Sequence, residues 1–255
     1  TVSGVAGQAA VVDGPANSVR WMAPRELAVD RSGNVFVVDS LGADPGLGRQ
    51  VRKLLTTGEV KPVAGGLLGA YSNPGRMAVD SVGSLYLTVK TGMIGPCLER
   101  CYAVINSSSV LKVDTAGNAS TLAGSTTTGT MGAVDGPANG ARFNYAEGIV
   151  VDSVGNVYVS DVLNEAIRRI GPGGKVATGA LPGRLRLPDA LAMGPDNSLY
   201  IPVGRRRYRH VQLSDGAGFA VLRAELTSTV AEAARKHLVA LQVIAEVLAQ
   251  ADAIV

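Results

Sequence analysis

Aromatic side chains are scarce in this chain: Phe, Tyr and Trp make up 4% of its 255 residues, with a single Trp. That leaves little for a surface that grips sugars or nucleic-acid bases by stacking. Only two histidines occur, His210 and His237, far apart in the sequence, which excludes histidine-ligated metal chemistry. The two cysteines, Cys97 and Cys101, cannot build a multi-disulfide framework. A formal net charge of +3 is too small to imply a polyanion partner. No segment is both apolar and uncharged over the ~20 residues a membrane helix needs. A Gly-x-Ser-x-Gly elbow and a phosphate-binding loop are missing too.

What is present is repetition. Residues 12–17 read VDGPAN and lead through Arg20 and Pro24 to LAVDRSGNVFVVD over 27–39. Residues 134–139 read VDGPAN again and lead through Arg142 and Glu147 to IVVDSVGNVYVSD over 149–161. Two weaker copies, MAVDSVGSLYLTV at 77–89 and LAMGPDNSLYIPV at 191–203, complete the set. Self-similarity over tens of residues means a repeat architecture. The longest interval between copies, Asp80 to Asp152, needs an insertion, and residues 92–109 and 125–132 are the candidates.

Each copy has the same grammar. Two short apolar runs flank Asp-x-x-Gly-Asn, which is a hairpin pattern. The Asp and Asn side chains bond nearby backbone, and the glycine accepts positive φ. Third strands are expected at 50–54, 110–113, 166–170 and 208–213, and fourth strands at 60–64, 119–123 and 175–178. Four antiparallel strands per unit, radially repeated, make a propeller blade. The fourth unit lacks a visible outer strand. The opening TVSGVAG matches the outer strands of other units, so an N-terminal strand is expected to close the last blade and leave no sheet edge.

The string G-x-V-x-x-x-A-G, then D-G-P-x-N-x-x-R-F, G-I-x-V-D-x-x-G-N-V-Y-V-x-D and N-x-x-I-R-R-I resembles the NHL repeat. The match is best over 120–175 and 1–60. The resemblance implies an all-β propeller; such propellers commonly carry six blades, and four are legible here. Related propeller lyases and lactonases use histidines or a metal-binding Glu/Asn/Asp set, and two histidines cannot supply the first kind.

The chain changes character near residue 216, so the reading is a propeller over 1–215 and a helical tail over 216–255. The tail places Leu222, Leu226, Val230, Ala234, Leu238, Leu241, Ala245 and Leu248 on one stripe. Steps of three and four residues describe an amphipathic helix. That stripe can pack on the propeller, or it can self-associate or dock on a partner through Leu238, Leu241 and Leu248.

Three features remain. Cys97 and Cys101, in GPCLERC, are a disulfide candidate or two free thiols, and a disulfide points to an extracytoplasmic location. Arg205, Arg206, Arg207 and Arg209 form a basic run that either contacts a partner or is simply solvated; nucleic acid is disfavoured by the small net charge. Repeat alignment puts Arg25, Glu26, Arg76, Glu147 and Asp189 at the starts of the innermost strands, around an axial channel. Such a mixed ring binds a polar ligand or merely pairs its own charges. Asp39 and Asp161 recur in both good copies, the mark of structure rather than of one active site. The expectation is a non-catalytic binding and assembly module without cofactor or bound metal. The alternative is a hydrolase or lyase with a carboxylate-bound divalent cation in the channel.

Overall fold

In the computed structural model the described residues are 2–42, 48–68, 72–94, 103–127, 129–179, 185, 188, 190–194, 197–202, 208–213 and 219–220. They form four antiparallel four-stranded sheets, each a meander in chain order. Blade 1 holds β1 (Leu27–Val29), β2 (Val35–Ser40), β3 (Arg49–Leu54) and β4 (Val60–Leu68). Blade 2 holds β5 (Ser72–Val79), β6 (Leu85–Ile94), β7 (Ala103–Val113) and β8 (Ala119–Gly124). Blade 3 holds β9 (Ala146–Val151), β10 (Val157–Asp161), β11 (Ala166–Ile170) and β12 (Val176–Thr178). Blade 4 holds β13 (Ala192–Met193), β14 (Ser198–Pro202), β15 (Tyr208–Leu213) and β16 (Phe219–Ala220).

The hairpin turns work as their residues require. The Asp30 carboxylate accepts from the amides of Ser32 and Asn34 and from the Asn34 side chain, while Gly33 has φ +82°. Asp152 repeats the arrangement with Asn156, and Asp114 with Asn118 between β7 and β8. Hydrogen bonds from the Asn118 side chain and amide hold the Asp114 pKa below its ordinary 3.8. At Asp30, burial pushes upward but Asn34, Lys53 and the Ser32 amide outweigh it, and the pKa is again lowered. A depressed carboxylate stabilises the fold above its unfolded value and loses that contribution as pH falls through its folded value. The unfolding temperature is therefore expected to drop as pH is lowered below 3.8, and Asn118→Ala should flatten part of that drop in a scanning-calorimetry pH series.

The duplicated phrase is a strap. In blade 1, Gly14 exchanges both backbone hydrogen bonds with Val60 at the start of β4; in blade 3, Gly136 does the same with Val176 of β12. Behind each strap lies a fully buried arginine. Arg52 donates to Asp39 at 2.9 Å, to Asp13 at 2.7 Å and to the Arg20 carbonyl at 2.7 Å, and sits over the Trp21 ring. Arg168 donates to Asp161 at 2.7 Å, to Asp135 at 2.7 Å and to the carbonyls of Val134 and Arg142. A buried charge persists only when it is paired and hydrogen-bonded, so VDGPAN, the β2 or β10 aspartate and the β3 or β11 arginine belong together. Asp39 and Asp161 are structural, as their recurrence indicated.

Three hydrophobic clusters join the blades in order. Ala28, Phe36, Val38 and Val51 of blade 1 meet Met77, Leu85, Leu87 and Val89 of blade 2. Tyr86, Val110 and Ala123 of blade 2 meet Phe143, Ile149, Val157, Val159 and Ile170 of blade 3. Tyr158 and Ile167 of blade 3 meet Leu199 and Ile201 of blade 4. Period-2 alternation explains this, since neighbouring residues of one strand serve opposite faces.

Two expectations need correction. Residues 2–7 are not a strand: Gly4 and Gly7 have φ of +106° and +68°, and the Gly4 amide donates to Ala16. Glycines in that region break an extended run. The outer strand of blade 4 is instead Phe219–Ala220, paired with Leu213 and Gln212. Those two residues had been assigned to the helical tail. The rest of the tail stripe, including Leu238, Leu241 and Leu248, lies outside the described residues. The candidate insertion at 92–109 is built on β6 and β7, which extend as a long hairpin up to Ile94 and from Ala103. Among the described residues no helix is long and apolar enough to cross a membrane.

Candidate functional site

The inner strands β1, β5, β9 and β13 run in the same sense. Their starts share one end of the axis and their finishes the other. At the finishing end, residues of all four blades, among them Val29, Val79, Val151 and Met193, line one cavity of roughly 240 Å³. This fixes a common axis. Glu26, Arg76 and Glu147, at or near the starts of these strands, stand at the opposite end, here termed the mouth.

There Arg76 faces Glu26 across the junction of blades 1 and 2, 3.3 Å from Oε2. Lys90 of β6 is hydrogen-bonded to Glu147 of β9 across the junction of blades 2 and 3. The Lys90 side chain is 3% exposed and the Glu147 side chain 20%, whereas Arg76 is 49% exposed. The two pairs are stitched together by Thr88, whose hydroxyl donates to the Glu147 carbonyl at 2.7 Å and accepts from the Arg76 amide at 3.0 Å. Glu26 feels all of them. Burial pushes its pKa up and Glu147 adds to that; Arg76 and Lys90 pull back, and the net shift is upward from 4.5.

The surroundings are shaped for this cluster. The Lys90 ammonium lies 4.3 Å from the centroid of the Tyr145 ring, a cation–π distance. Tyr145 has φ +68°, an uncommon and strained conformation for a bulky residue, of the kind that gathers at functional sites. Gly148 lets blade 4 approach: a Cβ there would stand 2.7 Å from Ser160 Oγ and 3.0 Å from the Ala190 backbone. The Ser160 hydroxyl accepts from the Gly148 amide at 2.6 Å, and the Ser108 hydroxyl from the Ala146 amide at 2.9 Å.

Of the five channel residues expected from the sequence, Glu26, Arg76 and Glu147 are brought together. Arg25 is exposed and stands apart from both ion pairs; its charge acts on Arg49, whose pKa is lowered mainly by burial and then by Arg25. Asp189 lies outside the described residues, as do Cys97, Cys101, Arg205, Arg206 and Arg207 and the side chain of Arg209. Lys90 was missed, because only the starts of inner strands had been considered. Its signal is a lysine continuing the Tyr86, Thr88 alternation, opposite the apolar face of Leu85, Leu87 and Val89.

No protein-family model matches the chain, and no curated protein matches it in sequence. Solved structures do. Virginiamycin B lyase from Staphylococcus aureus superposes with a TM-score of 0.50 at 13% identity, over 79% of this chain and 56% of that one. A streptogramin B lyase gives 0.48 at 13%, over 77% and 53%. A structure described as a gluconolactonase gives 0.49 at 16%, over 80% and 65%. The chain is a β-propeller. At such identity the likeness shows the fold alone, and this chain spans 56% of the Staphylococcus lyase. The expectation that the chain is not an enzyme is corrected to this extent: the fold it shares is one that an enzyme, virginiamycin B lyase, uses.

Proposed function

We propose that this propeller is catalytic, a hydrolase or lyase whose active site is the axial mouth. The observation that supports this reading is the cluster of Glu26, Arg76, Lys90 and Glu147. It is built at positions where the repeats differ, whereas the acids that repeat are consumed in structure. The places of Lys90 are taken by Ser40 in blade 1 and Val162 in blade 3.

Glu26 is the proton-transfer group. Partial burial raises its pKa above the ordinary 4.5, which makes it a stronger base than an unperturbed carboxylate. Arg76, half exposed, meets the substrate and stabilises negative charge developing on a carbonyl oxygen. Lys90 and Glu147 position it, fixing the Thr88 bridge and the field at Glu26. In hydrolysis Glu26 takes a proton from water as the water oxygen attacks the carbonyl carbon and the carbonyl pair moves onto oxygen beside Arg76; when that pair returns, the bond to the leaving oxygen breaks, and this oxygen takes the proton from Glu26. In elimination it takes a proton from carbon, the electron pair becomes the new double bond, and the leaving group departs with its own pair.

The divalent cation of the alternative reading is not part of this proposal. Among the described residues no three His, Cys, Asp or Glu side chains converge, and Glu26 and Glu147 already face cations.

We also propose that the two complete repeats are of the NHL type, a reading that their shared strap and buried arginine support. The test of the catalytic reading is ring opening of virginiamycin B and of an aldonolactone by the full chain, followed by mass spectrometry. Turnover of either supports it. Turnover of neither, together with no change in Glu26 titration when they are added, contradicts it.

A further inference from the structure

Two residues that the repeat does not require meet at the junction of blades 2 and 3. Lys90 lies on β6, and Tyr145, just before β9, sets its ring 4.3 Å from the Lys90 ammonium. At the junction of blades 1 and 2 the corresponding residues are Ser40 and Asn73, so the lysine and the tyrosine go together. Tyr145 holds its place at a backbone cost. Its φ is +68°, an outlier for a residue this bulky. The route of the chain does not demand it: blade 1 makes the same passage with Ala23, whose φ is not positive and whose amide donates to Asp39 at 2.8 Å. In blade 3 the backbone is pinned on both sides. The Asn144 amide donates to Asp161, the Leu163 amide to the Asn144 carbonyl, the Val162 amide to the Tyr145 carbonyl, and the Ala146 amide to Ser108 Oγ. Strain of this kind persists only where the surroundings over-determine it.

We propose that Tyr145 is a positioning residue, its ring capping the Lys90 ammonium so that this buried cation stays on Glu147. The contact stands on geometry, and its consequence for turnover rests on the catalytic reading of the mouth. A lysine side chain 3% exposed needs partners for its charge. Among the described residues Glu147 and the ring face supply them. Without the ring, the flexible four-carbon stem is free to swing the ammonium toward water. That changes the field at Glu26. Among the described residues the charges that act on Glu26 are Arg76 of β5, Lys90 of β6 and Glu147 of β9; Lys90 lowers its pKa and Glu147 raises it. A Lys90 that leaves Glu147 removes the pull and uncovers the push, so the Glu26 pKa rises. Glu26 acts as a base only without its proton, so the acid limb of the pH–rate profile moves to higher pH.

Tyr145→Gly and Tyr145→Phe in the full chain separate ring from backbone, since glycine accepts the positive φ and phenylalanine keeps the ring. Acetylation by acetic anhydride, read by peptide mass spectrometry, is scaled to Lys61, whose side chain is 56% exposed. Lys90 is expected to react about tenfold faster in Tyr145→Gly than in wild type, the factor that a cation–π contact to a desolvated ammonium corresponds to. In Tyr145→Phe it should react no faster than in wild type. On the substrate that wild type turns over, the acid limb should move to higher pH in Tyr145→Gly and stay in place in Tyr145→Phe. Equal labelling of Lys90 in Tyr145→Gly and wild type overturns the proposal, whatever the mouth does. An unmoved limb in Tyr145→Gly overturns the positioning role when Glu26→Gln is inactive. If Glu26→Gln instead keeps its turnover, the catalytic reading fails, and faster labelling of Lys90 still supports the cap.

Discussion

Arg168→Met is expected to destabilise the propeller by about 3–5 kcal/mol, the usual cost of removing one member of a buried ion pair. The loss is large because one guanidinium serves four acceptors: Asp161, Asp135 and the carbonyls of Val134 and Arg142. Asp161 is fully buried and would be left without its cation, with only the Asn144 amide and the Asn164 side chain as partners. The strap would lose its anchor as well. Adding Asp161→Leu to Arg168→Met should recover much of the loss, since a buried pair replaced by apolar groups is often nearly neutral. Denaturant midpoints of the single and double variants check both statements. Equal instability in the two would mean that the strap, not the stranded charge, dominates.

The second large effect concerns Arg76. Its charge is the foremost influence pulling the Glu26 pKa down against burial. Arg76→Met should therefore move the acid limb of the pH–rate profile to higher pH and reduce turnover by about 10²–10³-fold, as loss of a charge-stabilising donor does. The sign is set by linkage. Glu26 must lose its proton to act as base, and without Arg76 it holds that proton to higher pH. A limb that stays in place would separate Glu26 from the reaction.

The repeat grammar made the blades legible because every blade needs the same turn, the same alternation and, in two cases, the same strap. Asp30, Gly33 and Asn34 act as their chemistry dictates, and the structural nature of Asp39 and Asp161 followed from their recurrence. What recurrence cannot show is the partner, and Arg52 and Arg168 became their partners only in three dimensions. The outer strand of blade 4 was hidden because Phe219 and Ala220 open an alanine-rich stretch whose helical pattern outweighs two residues. The N-terminal run was misleading for the opposite reason, since its β-like spelling contains two glycines held at positive φ. Three of the mouth residues could be placed by alignment alone. Lys90 could not, because it reaches Glu147 from the second strand of a different blade. Ring closure depends on the angle between blades, which no local pattern encodes.

The central claim is that Glu26 moves a proton at the axial mouth, and Glu26→Gln tests it most directly. A carboxyl whose folded pKa is raised contributes stability below its unfolded value and loses it as pH rises through the folded value. The neutral amide should accordingly leave the unfolding temperature at pH 7 unchanged or higher. Measured beside wild type on the same ring-opened substrate, the account predicts a fully folded variant whose kcat falls by about 10²–10⁴-fold. A variant that keeps its kcat would contradict it, and the mouth would then be a set of paired charges and nothing more.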